Sequence, residues 1–528
     1  MHAVETGATE AIKKIKALGI AFGAAIVQRI VSYYAIGILY DWHIFTWFFI
    51  AGNYNNYAIV IENWGWILEW TPAFFGSGML VGLNTGISMM AGTFFAWGFM
   101  GPILVKTGIC VGKQLAPKDP HWSRSVTYYS MAGIQKAGFV PSPRYWFLWP
   151  GVAVLVAYSM TEFLAHWKVI YYGGKYAWIS LAGSINALMV KRSGKSSAFL
   201  GKQALSGTGE DLLVKDFASR EQQTSPWLWG LGGLGVVIMT CIIGGLQYQI
   251  NPGLCILALM LGIVFAFLSI HGSGVTDLTP LTASAKASQL VFGGITSGQG
   301  LSLKTAQTTN LIAGGIASGS ADVSCSLVHD YRVGFLLQTP PNLQWWAQAL
   351  GTLVSMFLAP GIFVLFMAAY PCVLHPDAYD TCPFSAPSVT AWQAVAEAVT
   401  VPNPPIPRSS GIFALVLVAI CILQVIMKNT YLVGPREKYR NWLPNWMAIG
   451  VAFVIPATYY STATLGGAII SHFWQKRNPK NFERYCFAVA AGLIAGEGLG
   501  GVIGAALQLG GVAGDVYGTN VGCPRNSC

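Results

Sequence analysis

The sequence predicts an all-α, polytopic integral membrane protein with about ten or more transmembrane helices, some discontinuous or re-entrant. Three observations carry this. Of 528 residues, 54% are hydrophobic and only 10% are Asp, Glu, Lys or Arg, where ordinary soluble proteins carry about 25% charge. Apolar runs repeatedly reach the roughly 20 residues a helix needs to cross a bilayer. The basic residues gather in the connections between those runs. A soluble core has no need of runs so long and so many.

Taken in order, the opening "MHAVETGATEAIKKIKALGIAFG" has no small-residue cleavage site after a short apolar run. It reads as a cytoplasmic lead into the first span, without a removable signal peptide. Clean spans are Leu18–Tyr40, Pro72–Leu104, Trp146–Leu164, Trp227–Leu246, Gly253–Ile270, Trp345–Ala369, Gly411–Met427 and Tyr485–Ala506. The formal charge is +10, with Lys and Arg concentrated in 106–144, 191–220, 428–440 and 476–484, as expected of cytoplasmic loops. Scattered basic loops without interleaved aromatics predict no nucleic-acid partner.

Residues 1–528 therefore read as a single transmembrane domain, with 106–144 and 191–226 as cytoplasmic loops. Two crossings must separate those loops. The second is 169–190, interrupted by a Gly pair and Lys175, which either crosses imperfectly or lies in the interface with one loop outside. The segment 371–410 carries Asp377, Asp380 and Glu397 and reads as non-cytoplasmic. There Cys372 and Cys382 either form a disulfide or remain two free thiols. The cysteines inside spans (Cys241, Cys255, Cys421, Cys486) read as packing residues.

Two stretches, 69–106 and 441–474, exceed one span, and each is interrupted. The first carries repeated glycines with Asn84, Thr85 and Ser88; the second carries Pro456 before a Ser/Thr/Tyr patch. Such pairs mark discontinuous helices near a transporter's substrate site. The same glycines also serve helix–helix packing, and the polar residues beside them favour a water-lined cavity.

Ionisable groups at bilayer depth cost about 2.5–3.5 kcal/mol on insertion scales, so each is a candidate for function. Glu69, just ahead of Pro72, is either a proton acceptor or partner of a cationic substrate, or a carboxylate favoured by the following helix dipole. Asp277 lies in a Gly- and Pro-broken stretch that is either a re-entrant, site-lining element in which it pairs with Lys286, the favoured reading, or an ordinary polar loop leaving the membrane. Asp322, Ser326, His329 and Asp330 share one face of a helix. That face either lines a cavity or leaves the membrane, with Asp330 and Arg332 as an interfacial salt bridge. Glu497 is the lone ionisable group of a Gly/Ala span and is read as functional. The chain has no H-E-x-x-H, no phosphate loop with its Lys and no G-x-S-x-G elbow, and its cysteines lack C-x-x-C spacing. No enzyme activity, cofactor or protein-bound metal is expected.

The stretches "WILEWTPAFFGSGMLVGLNTGISMMAGTFFAWGFMGP", "GVTDLTPLTASAKASQLVFGGI", "ASGSADVSCSLVHDYRVGFLLQTPPNLQWWAQALGT" and "AAGLIAGEGLGG" resemble the oligopeptide transporter superfamily. They are closer to its yellow stripe-like, metal-chelate branch than to its peptide branch. The likeness runs from about residue 20 to the end, with the motifs in the same order. It implies a proton-coupled symporter of small oligopeptides, or of metal-chelate and amino-acid-derived conjugates, working by alternating access in the plasma membrane or an internal membrane such as the vacuole's. Its partners are then the substrate, protons and the lipid bilayer. On this reading Glu69, Asp277, Asp322, His329, Asp330 and Glu497 handle protons or substrate charge, and Asn84 and Thr85 line the cavity. Relatives usually have further helices before the point where this sequence begins, so the chain is expected to lack them. The alternative is a transport-inactive truncated paralogue, or a membrane-embedded enzyme or scaffold.

Overall fold

The computed structural model describes residues 8–129, 140–165, 217–219, 221–276, 281–374, 387–401, 406–456 and 458–526, with scattered positions between 167 and 199. Thirteen helices organise it: α1 (Ala8–Ser32), α2 (Pro72–Thr93), α3 (Pro143–Ala165), α4 (Pro226–Tyr248), α5 (Pro252–Thr276), α6 (Leu281–Ser297), α7 (Leu303–Leu336), α8 (Pro341–Ala369), α9 (Pro387–Thr400), α10 (Arg408–Thr430), α11 (Trp446–Val454), α12 (Thr458–Arg477) and α13 (Pro479–Leu509). Among the described residues, 7 helical stretches are long and apolar enough to cross a membrane. The protein is a multi-pass, all-α membrane protein. Among the described residues its strands are two-residue bridges, β1 (Asp41–Trp42) with β2 (Leu68–Glu69), and β3 (Lys113–Gln114) with β4 (Val126–Thr127).

Helix ends follow local chemistry. Pro72, Pro226, Pro341 and Pro479 open their helices, where a missing N–H costs nothing and the fixed φ is already helical. Ser302, Asn445 and Asn478 accept hydrogen bonds from the first free amides of α7, α11 and α13, as N-caps do. Helix α1 begins ten residues ahead of the apolar run, because Lys13, Lys14 and Lys16 are good helix formers with no reason to end a helix. It stops at Ser32, where the Tyr34 amide turns back to the Val31 carbonyl at 3.1 Å.

Two groups of helices result. One holds α1, α2, α11, α12 and α13, with α3 and α10 beyond them; the other holds α4 to α7 and α9. Helices α3 and α8 each touch both groups. Large apolar side chains such as Phe357 and Val364 of α8 and Leu415 of α10 point outward, as lipid-facing surfaces require. Inside the first group Trp97, Tyr145, Trp146 and Phe147 are fully buried. Each indole finds an acceptor, Trp97 Nε1 at the Ala452 carbonyl (3.0 Å) and Trp146 Nε1 at Ser409 Oγ (2.9 Å). The Lys428 ammonium meets Glu162 at 2.7 Å and ties α10 to α3.

Both long, interrupted stretches are discontinuous helices. Helix α2 breaks at Gly82 (φ 82°, ψ 169°), a backbone conformation open to glycine and strained for other residues. It continues through a π-helical turn, Phe94–Met100. Helices α11 and α12 are separated at Ile455 and Pro456, because proline lacks an amide and clashes with the preceding turn.

The two broken elements are pressed together. A side chain at Gly78 would run into the Thr464 carbonyl, and one at Gly467 into the Phe75 carbonyl. A second seam joins α13 to α1, where Gly492, Gly496, Gly500 and Gly504 recur every fourth residue. A Cβ on any of them would strike α1 or the turn after it, at Leu18, Phe22, Arg29 and Tyr33 in order. Without a hydrophobic drive between helices in lipid, such small-residue seams supply the close packing. Packing and discontinuity, the two readings of the glycines, therefore both hold at different positions.

Gly78→Val and Gly467→Val should each overpack the crossing, costing about 1–3 kcal/mol or more, and reduce the monodisperse fraction on size-exclusion chromatography in detergent. Gly230→Ala, on an open face of α4, should leave the profile unchanged. Equal behaviour of the three variants would rule out the crossing as a tight contact.

Candidate functional site

The ribbon β1–β2 sits at the junction of α1, α2, α12 and α13. Its register pairs Asp41 with Glu69 and Trp42 with Leu68, and the Trp70 amide adds a rung to the Tyr40 carbonyl at 2.9 Å. Aromatic residues suit such a half-buried extended stretch, and Trp42 and Trp70 meet edge to face at 5.0 Å. From α1, Gln28 Nε2 donates to the carbonyl of Trp70 (3.1 Å) and to that of Leu39 (3.4 Å). Non-helical backbone within a membrane protein survives only when its polar groups are satisfied in this way.

Around the ribbon lies a set of charged side chains. The Glu497 carboxylate accepts from Tyr40 Oη (2.8 Å), from Thr71 Oγ1 (2.9 and 3.1 Å) and from the Ala73 amide (2.6 Å). Ala73 is the second residue of α2, so Glu497 occupies the positive amide end of that helix. The Arg29 guanidinium lies over the rings of Tyr33 (4.7 Å) and Tyr40 (4.3 Å). Glu69, 8% exposed, faces Asp41, Tyr40, Arg29 and Glu497. Asp41 Oδ1 is buried with no hydrogen-bond partner. Thus Arg29 faces three carboxylates, those of Asp41, Glu69 and Glu497. Just beyond, His43 Nδ1 meets Glu62 Oε1 at 2.5 Å, and Glu62 Oε2 accepts from the Thr46 amide at 3.2 Å.

The structure separates the sequence-predicted residues. Glu69 and Glu497 come together, but their roles at the helix end are exchanged: Glu497, not Glu69, takes the α2 terminus. Asn84 Nδ2 donates to the carbonyls of Asn441 (2.6 Å) and Leu443 (3.0 Å). Thr85 accepts from Asn445 Nδ2 at 3.4 Å, and Ser88 Oγ accepts from the Asn445 amide at 2.9 Å. These three therefore anchor the turn that starts α11.

Asp322, His329 and Asp330 lie on the unbroken helix α7. His329 Nε2 is 3.3 Å from Ser273 Oγ of α5. Asp330 receives the Gln348 amide on its carboxylate and the Gln344 amide on its carbonyl, both from α8. Arg332 is drawn instead over the Phe335 ring at 5.4 Å. The Asp330–Arg332 bridge, one of the two readings of this face, thus gives way to a tie between α7 and α8. Asp277 and Cys382 lie outside the described residues. Cys372 is disulfide-bonded, as is Cys523.

A second polar centre occupies the other helix group. Lys286, 1% exposed, donates to Gln289 Oε1 at 3.0 Å and lies 4.6 Å from the Trp392 ring centroid. Gln289 Nε2 in turn reaches Asn310 Oδ1 (3.2 Å) and the Trp392 carbonyl (3.0 Å).

Sequence reasoning missed Arg29, Tyr40, Asp41, Thr71 and Tyr459. Arg29 had a signal, since an ionisable residue inside the first apolar run meets the same test that singled out Glu497. The others carry none, because hydroxyls and a carboxylate beside a turn are ordinary until folding surrounds them.

A family model described as OPT oligopeptide transporter protein matches residues 1–508, and the chain belongs to that family. A Saccharomyces cerevisiae protein provisionally named as an oligopeptide transporter is 24% identical over 481 residues, 86% of this chain and 60% of that protein. A metal-nicotianamine transporter of Oryza sativa subsp. japonica is 23% identical over 479 residues, 88% of this chain and 62% of its own length. One from Arabidopsis thaliana is 21% identical over 476 residues, again 88% of this chain and 64% of that protein. The chain thus spans about three-fifths of the length of these relatives.

Replacing Glu497 with Ala should lower stability by about 1.5–3 kcal/mol, the range for hydrogen bonds to a charged group. Glu497→Gln, which keeps an acceptor oxygen, should lose less. Thermal unfolding in detergent reads both, and an unshifted midpoint for Glu497→Ala would remove the carboxylate from its anchoring role.

Proposed function

We propose that this member of the oligopeptide transporter family is a proton-coupled secondary transporter, moving small oligopeptides or metal–nicotianamine-type chelates by alternating access. The observation that supports it most directly is the cluster of Glu69, Asp41, Arg29 and Glu497 at the start of a broken helix, within a family match that covers almost the whole chain. Buried carboxylates at a helix discontinuity offer what coupling needs: groups that exchange a proton when water reaches them and that sense the packing of mobile elements.

Bending is assigned to the breaks at Gly82 and at Ile455–Pro456, since the backbone there already lacks the regular helical ladder. In the second helix group, His329 with Asp322, and Lys286 with Gln289, supply polar groups for the charged ends of a peptide or chelate. Asp277 remains a proposed member of that path. Asn84 and Thr85 act in this scheme by holding the turn before α11.

Uptake by proteoliposomes holding the full chain tests the proposal. Small peptides and metal–nicotianamine complexes should accumulate under an inward proton gradient, and a protonophore should collapse that accumulation. Flux indifferent to the gradient would overturn proton coupling, and no flux of any compound would overturn transport. Asp322→Asn should reduce uptake by tenfold or more at normal expression if Asp322 lies on the path; unchanged uptake would remove it.

A further inference from the structure

We propose that Asp41 and Glu69 hold one proton between them, forming a carboxyl–carboxylate pair that is the proton-binding unit of the site. Its role as the coupling site rests on the transport reading above; its chemistry does not.

The register is the first argument. Asp41 and Glu69 are direct cross-strand partners in the β1–β2 ribbon, so their side chains leave the same face with Cβ atoms about 4.5–5.5 Å apart. Like charges so placed repel, and more strongly where water is excluded. Glu69 is 8% exposed, which leaves little solvent to screen it.

The second argument is an unmet valence. Asp41 Oδ1 is buried with no hydrogen-bond donor, an arrangement that costs free energy as it stands. One proton resolves both problems at once. A hydroxyl on one carboxyl donates to an oxygen of the other, so the repulsion becomes a short hydrogen bond and the orphaned acceptor gains its donor.

The surroundings favour one proton, not none and not two. From α1, Arg29 faces both carboxyls, but its guanidinium is also held between the rings of Tyr33 and Tyr40. A single cation there balances one negative charge of the pair. From the ribbon itself His43 faces Asp41, and its Nδ1 is already engaged with Glu62. From α12 Tyr459 faces both acids, with Tyr460 beside it. From α13 Glu497 adds a third carboxylate, which discourages a second charge on the pair. Glu497 itself is unlike them. Tyr40 Oη, Thr71 Oγ1 and the Ala73 amide all donate to it, so its acceptor oxygens are already met.

Infrared spectroscopy of the full chain in nanodiscs at neutral pH reads this directly, through the C=O stretch of a protonated carboxyl. The wild type should show one such band attributable to the pair. Asp41→Asn and Glu69→Gln should each abolish it, because each removes one of the two carboxyls between which the proton is held, while Glu497→Gln should leave it in place. Size-exclusion profiles confirm that each variant is folded, and Asp41→Glu, which keeps the pair, should retain the band. A band that survives in Asp41→Asn but not in Glu69→Gln would show one protonated acid and no sharing; a wild type without the band would overturn the proposal outright. The two readings fail separately: a shared-proton band in a chain with no substrate flux would overturn transport, and gradient-driven flux without the band would overturn the pair.

Discussion

A single carboxylate, that of Glu497, holds together the part of the protein on which the rest is arranged. It lies far along the chain from Tyr40, Thr71 and Ala73, yet it accepts from all three. The first free amides of a helix buried in a membrane protein have no water to turn to, and an unsatisfied amide there costs several kcal/mol. Glu497 supplies the acceptor and brings with it the negative charge that a helix N-terminus favours. The price is close approach of α13 to its neighbours, and the glycine seam at 492, 496, 500 and 504 makes that approach possible against α1. Seam and carboxylate are two faces of one helix. One sets how near α13 comes to α1, the other what it touches in α2.

That anchoring explains why the charge is found where the backbone is irregular. The β1–β2 ribbon, the broken helix α2 and the α11–α12 interruption all leave backbone groups or polar side chains that a regular helix would satisfy internally. Each is met by a specific partner: Gln28 for the ribbon, Glu497 for α2, Asn84 and Ser88 for the turn before α11. Asp41 Oδ1 is an oxygen of this region left without one. Gln28 Oε1 and His43 Nε2 are likewise unpaired, but Asp41 Oδ1 belongs to a residue that lies cross-strand from a second carboxylate.

The second helix group solves a related problem differently. Lys286 is buried against an amide and an indole face, and Gln289 extends the chain of hydrogen bonds to Asn310 and to the Trp392 carbonyl. One centre is thus acidic with a single guanidinium, the other basic with amide partners. The two belong to helix groups that α3 and α8 bridge.

By itself the sequence determined the membrane class, most of the spans, the two stretches that break and the break at Pro456, because these depend on local quantities: run length, hydropathy, and the conformational limits of glycine and proline. It also pointed to Glu69 and Glu497, since a charge within an apolar run is conspicuous in one dimension. Only the tertiary structure decided what those charges do. Glu69 stands beside Pro72 in the chain, yet Glu497 reaches the helix terminus. Asp330 and Arg332 are two residues apart, yet each finds a partner elsewhere. Asp41 and Glu69 become neighbours only through strand register. Hydrogen bonds act over a few ångströms, and the residues that come that close in a folded helical bundle are set by seams and crossings, not by spacing along the chain.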